Sequence, residues 1–176
     1  MIELLFEYNI IEMLLAAVIA ILSVFMTKTV VLKLYVSKTR DIDPYKNSAF
    51  MVFLSGMILS VCYLVFTIFD PLAATMQLLK AQNLSEFGII LEYLKYMLMF
   101  LVISYALSAA IIFITSSLFT VMTKNLDEYN EIAEGNVGVA LLMVVLVLVI
   151  SVFTQHPFLV FMETFIPFPD VPNILG

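Results

Sequence analysis

The sequence predicts an all-α fold: a polytopic membrane protein whose four transmembrane helices form two repeated hairpins with short amphipathic interfacial helices. Three observations lead there. Of the 176 residues, 63% are hydrophobic and 12% charged, with a mean hydropathy of +1.10; soluble domains hold about half apolar and a quarter charged residues. The apolar residues gather into four long runs, and a helix that crosses a bilayer needs about 20 of them. Five of the eight basic residues, Lys28, Lys33, Lys38, Arg40 and Lys46, fall between the first two runs. Short loops rich in lysine and arginine stay on the cytoplasmic side, so this connection is read as inside. Four spans and their connections use most of the chain, and residues 1–176 are expected to form one membrane-embedded domain.

Taken in order, the chain opens with Glu3, Glu7 and Glu12 and no basic residue. A cleaved signal peptide needs a positive start, so the N-terminus is expected to be retained, outside. The first span is placed at residues 10–32. Ala16, Ala20, Ser23 and Thr27 share one face of it, and small residues let helices approach closely in lipid. Asp43-Pro44 marks a turn, with Pro44 opening the next helical segment. The second span, 49–69, has no charge. Asp70-Pro71 is expected to end it and to start an interfacial helix over 71–82, with Asp70 as N-cap and Leu72, Met76 and Leu79 on one side.

Ser85-Glu86 restarts helix, and the third span is placed at 90–123. The proline-free run from 87 to 123 would reach about 55 Å, against a hydrocarbon layer of roughly 30 Å. Part of it therefore projects, and Glu92 and Lys95, three apart, are placed to pair near the outer boundary. Ser104, Ser108 and Thr115 fall within about 40° of helical rotation, a stripe suited to helix packing or to lining a pore.

After the third span, Asn125-Leu126-Asp127-Glu128 has the spacing of a capping box. Leu126, Tyr129, Ile132 and Ala133 make the apolar side of the short helix that follows, with Asp127, Glu128, Glu131 and Glu134 mainly on the rest. Gly135-Asn136 lets the chain turn into the fourth span, 137–154. The remainder, 155–176, holds Pro157, Pro167, Pro169 and Pro172 among phenylalanines and is read as an interfacial tail. His156 is expected there as an interfacial side chain, since no second histidine or cysteine lies near it. Six basic residues then lie inside and two, Lys80 and Lys95, outside, which puts both termini outside.

The order span, elbow, span occurs twice, with Lys46-Asn47-Ser48-Ala49 placed before the second span as Gly135-Asn136-Val137-Gly138 is before the fourth. The run Glu131-Ile132-Ala133-Glu134-Gly135-Asn136-Val137-Gly138-Val139-Ala140, preceded by Asp127-Glu128, resembles the YjfL family of small bacterial inner-membrane proteins. The resemblance implies four spans as two related hairpins and a bacterial inner (plasma) membrane location, and it supplies no catalytic residues. The first half shows a shorter version of the motif, and the proline-rich tail is an addition.

The composition and motifs exclude much chemistry. A net charge of −6 offers no basic footprint for nucleic acid. There is no glycine-rich phosphate loop, no zinc-type cluster and no Ser, His and Asp constellation. No Asp, Glu, Lys, Arg or His sits at the middle of any span, where proton relays place such residues. Cys62, the single cysteine, reads as a small buried hydrophobe. Neither enzymatic activity nor a cofactor or metal is expected.

What the pattern fits is a structural or interaction subunit of the lipid bilayer that assembles as a homo-oligomer or with a protein partner. The elbow residues Asp127, Glu128, Glu131, Glu134, Gly135 and Asn136 and the basic Lys38, Arg40 and Lys46 are its expected assembly residues. Ala16, Ala20, Ser23, Ser104, Ser108 and Thr115 are expected to pack helices or line a pore. An oligomeric channel is the alternative, since pores can gate by hydrophobic constriction. A membrane immunity or defence component is a third reading, resting on size and layout alone.

Overall fold

The computed structural model describes residues 2–39, 43–82, 85–123 and 126–166, with backbone alone for 2–9, 11 and 12, and no strand occurs among them. Among the described residues six α-helices follow one another: α1 (Ile2–Thr39), α2 (Ser48–Phe66), α3 (Phe69–Ala81), α4 (Glu86–Met122), α5 (Glu128–Ala133) and α6 (Val137–Glu163). Four segments of the described residues are long and apolar enough to cross a membrane: Met13–Thr39, Ser48–Ala81, Glu86–Met122 and Val137–Glu163. The all-helical class and the count of such segments agree with the prediction.

The centre of the bundle is the pair α2 and α6, its most extensive interface. Gly56 meets Val144, Ser60 Oγ lies 2.6 Å from Ser151 Oγ, and Tyr63 donates to Gln155. Residue numbers rise together along both helices, so the two run parallel. In lipid there is no hydrophobic drive to pair helices, and association rests on close packing and interhelical hydrogen bonds. Gly56 supplies the first: a Cβ there would lie 2.8 Å from Val144 Cβ and closer still to both its methyls. The serine pair supplies the second, buried on both sides.

α1 packs on α2 and α5, whereas α4 leans on α6, α2 and α3. The buried face of α1 is the fourfold series Ile19, Ser23, Thr27, Val31 and Tyr35. The predicted small-residue stripe is therefore split. Ser23 and Thr27 are inside, Ala16 is half-buried, and Ala20 faces outward. Ser23 Oγ lies 2.7 Å from Tyr105 Oη and bridges α1 to α4.

Two proline sites differ from expectation. Asp70 is not the N-cap of α3: Ile68 holds that position, in helical conformation and without a capping side-chain bond, and Asp70 lies in the first turn. Pro71 has no N–H for the carbonyl of Thr67. The turn ahead of it tightens, with Thr67 N–H donating to Leu64 O at 3.2 Å and Ile68 N–H to Val65 O at 3.1 Å. Thr67-Ile68 is thus the break between α2 and α3, two residues ahead of the expected start, and α3 covers nearly the stretch predicted for a separate helix. α3 buries Leu72, Thr75 and Leu79, with Met76 half-buried.

The fourth helix also runs on where the tail was placed. α6 continues through Pro157 to Glu163, with Phe158 and Met162 buried. A long apolar helix tolerates an internal proline because neighbouring groups re-satisfy the freed backbone, and Phe158 and Met162 anchor the turn after it in the core. The remaining prolines, Pro167, Pro169 and Pro172, lie outside the described residues.

Candidate functional site: the helical elbow and the cleft beside it

The elbow is built by local rules at both ends. Asp127, not Asn125, is the N-cap of α5: its carboxylate accepts from Tyr129 N–H at 3.0 Å and Asn130 N–H at 3.3 Å. Asn125 lies outside the described residues. A carboxylate cap satisfies orphan N–H groups and favours the positive end of the helix. At the other end Gly135 takes φ +88°. Its N–H donates to Ile132 O at 3.0 Å, and Asn136 N–H reaches back to Glu131 O at 2.9 Å. This pair of bonds is a Schellman motif, which needs the left-handed residue that glycine supplies.

Asn136 then caps α6 through Val139 N–H at 3.2 Å, while its amide nitrogen donates to the Glu131 carboxylate at 2.7 Å. Gly135 and Asn136 are thus the joint that ends one helix and starts the next. Asn47 plays the equivalent capping part at α2, accepting from Ala49 N–H at 2.9 Å and Phe50 N–H at 3.2 Å. Its amide nitrogen goes further, donating to Ile132 O at 2.7 Å and Ala133 O at 3.2 Å. One side chain therefore fastens the start of α2 to the last turn of α5. Beneath it Tyr35, Phe50, Phe53, Tyr129 and Ile132 form one buried cluster.

The predicted assembly residues separate into two groups. Asp127 and Glu134 are exposed and Glu131 is half-buried. Glu128, expected on the polar side, is instead only 5% exposed. It stands four residues before Ile132, on the same helical face, and the packing of that face against the bundle carries it inward. Its carboxylate accepts one long hydrogen bond, from Thr120 Oγ1 at 3.4 Å. Among the described residues no cation pairs with it, and burial of an unpaired carboxylate is costly.

Among the described residues no basic side chain forms an ion pair with the acids of α5. Lys38 Nζ sits 4.1 Å above the Tyr129 ring, Lys28 lies over Tyr45, and Lys46 pairs with Asp43 at 2.7 Å. Arg40 lies outside the described residues. Burial pushes the Tyr129 phenol above its ordinary value; the Ser116 hydroxyl nearby offsets part of the rise, and the charges of Glu128 and Asp127 add to it.

Between α1 and α4, above α2, opens a cleft of about 700 Å3. Its wall is apolar along Met26, Val30, Leu34, Ile112 and Phe113, and its elbow end is polar, with Lys38, Ser116, Thr120, Glu128 and Tyr129. Ser116 Oγ is buried there with no hydrogen-bond partner. Of the predicted hydroxyl stripe, Ser108 borders the cleft. Ser104 and Thr115 are fully buried, and all three hydroxyls donate to the carbonyl four residues back at 2.8 Å. Among the described residues no three His, Cys, Asp or Glu side chains gather to hold a metal.

Sequence reasoning missed Asn47 as a staple, Gly56 as the close-approach point and Glu128 as a buried group. Only the last had a local signal, its fourfold spacing from Ile132. Comparison of the chain with protein-family models, curated proteins and solved structures returns no match.

Proposed function

We propose that the protein is an integral membrane interaction subunit that assembles with copies of itself through its elbows. The observation that carries this reading is the state of the elbow charges. Asp127 and Glu134 are held outward on a helix fixed at both ends, yet no ion pair joins them to a basic residue of the same chain among the described residues. Lys33, exposed on α1, presents the opposite charge toward the same end of the bundle. Acids of one protomer facing bases of the next satisfy both, and complementary patches fix register between copies.

In this proposal the elbows are cytoplasmic, both termini lie outside, and the membrane is a bacterial inner membrane. The two capping asparagines, Asn47 and Asn136, support reading the chain as two related hairpins. Kinship with the YjfL family belongs to the same proposal, because Gly135 and Asn136, which carry the resemblance, are the joint of the elbow. An oligomeric pore has weaker support: Ser104 and Thr115 point into the protomer, away from any lumen between protomers.

The test is the mass of the purified protein in mild detergent at low and high salt. Multiples of the 19.9 kDa chain at low salt, reduced by Glu134→Lys and recovered by Glu134→Lys with Lys33→Glu, are expected. A single-chain mass at every protein and salt concentration refutes the proposal.

A further inference from the structure

The cleft between α1 and α4 has features that assembly through the elbows does not use. We infer that it is a binding groove for one membrane phospholipid with a primary-amine headgroup, its acyl chain along the apolar wall and its head at the elbow end. The dimensions suit one leaflet. From Met26 to Lys38 the wall of α1 rises about 18 Å, close to half of the roughly 30 Å hydrocarbon layer. The volume of about 700 Å3 lies within the usual range for ligand pockets, about 300–1,000 Å3. The groove runs between two segments long and apolar enough to cross a membrane, so a lipid enters it sideways from the bilayer.

The polar end selects the headgroup. It carries one carboxylate, Glu128, and one ammonium, Lys38, that do not pair with each other among the described residues. A head with a phosphate and an ammonium complements both, the phosphate toward Lys38 and the ammonium toward Glu128. Glu128 is 5% exposed and accepts a single bond at 3.4 Å, which leaves most of its acceptor capacity unused. Ser116 Oγ, beside the Tyr129 phenol, adds a second buried oxygen at this end. A primary ammonium brings three N–H donors to these oxygens. A trimethylated ammonium brings none, and a glycerol head brings no positive charge to meet the carboxylate.

The experiment uses the full chain, purified in mild detergent and stripped of lipid, with phosphatidylethanolamine, phosphatidylcholine or phosphatidylglycerol of identical chains added. Retained lipid is counted by native mass spectrometry. One phosphatidylethanolamine per chain is expected, held about tenfold more tightly than phosphatidylcholine, the scale of one charge-assisted hydrogen bond. Glu128→Gln, which keeps the shape and the Thr120 contact, is expected to erase that preference. Ala109→Phe, placed on the α4 wall of the cleft and away from the elbow, is expected to displace the lipid while helicity is retained; it keeps the test open if the Glu128→Gln variant does not fold. Equal retention of the three lipids by the parent chain, a preference for phosphatidylglycerol, a preference unmoved by both substitutions, or a second chain filling the cleft in place of lipid would each overturn the inference.

Discussion

Asn47 offers the sharpest test of how the elbow is held, because its two side-chain atoms do separate work. The carbonyl oxygen caps α2 through two backbone N–H groups, and the amide nitrogen donates to the carbonyls of Ile132 and Ala133 on α5. Asn47→Asp and Asn47→Ser both keep a competent N-cap and remove the amide group that reaches α5. Two hydrogen bonds at a net of about 0.5–1.5 kcal/mol each put the loss at about 1–3 kcal/mol. The aspartate variant loses more than the serine variant, since it sets an anionic oxygen where the donor met a carbonyl at 2.7 Å. Asn47→Ala gives up the cap as well, adding about 1 kcal/mol.

Thermal unfolding in mild detergent, followed by helical circular dichroism, reads the total; about 2–4 °C per kcal/mol is the scale for a domain of this size. Amide exchange across α5 reads the local part, and both Asp and Ser variants should exchange faster there. If the two melt with the parent protein and leave α5 protection unchanged, the Asn47 bonds to α5 contribute nothing and the elbow is held by packing alone.

Three more expectations rest on single contacts. Gly56→Ala drives a methyl into Val144 and should destabilise by about 1–3 kcal/mol, the usual cost of overpacking; Val144→Ala should recover part of it in a double-mutant cycle, and strict additivity of the two would contradict the close-approach role. At Gly135 no atom lies within 4 Å of a built Cβ, so the penalty is backbone strain, about 1–2 kcal/mol for an ordinary L residue. Gly135→Val should therefore melt lower than Gly135→Asn, which tolerates the left-handed region, and equal losses would argue against strain as the cause. Tyr129 holds its proton more tightly folded than unfolded, so its contribution is complete below about pH 10 and is lost as the pH rises beyond it. Alkaline unfolding should shift upward in Tyr129→Phe; coincident curves would dismiss the effect.

Local signals read most of the elements and little of their arrangement. The Gly135-Asn136 turn, the long third helix and the Glu92–Lys95 pair, observed at 2.6 Å, follow from residues adjacent on one helix or turn. Proline was the misleading signal. At Pro157 the usual helix-breaking role yields to a long apolar helix whose neighbours hold the next turn in place, and near Pro71 the break comes at Thr67-Ile68 and the cap does not fall on Asp70. Glu128 went wrong for another reason, because a short helix with acids on three sides does not reveal which side meets the bundle.

The sequence by itself determined that the chain is helical, that four segments are long and apolar enough to cross a membrane, and that the chain turns at Gly135-Asn136. Those properties depend on runs of hydropathy and on contacts within a few residues. Tertiary structure alone decided which face of each long helix turns inward. A helix facing lipid on one side and protein on the other is apolar on both, so periodicity offers no contrast to read. The choice of Gly56, Ser60 and Ser151 for the central seam, the outward turn of Ala20, the cleft between α1 and α4, and the unpaired carboxylate at its polar end all follow from how the helices fit together.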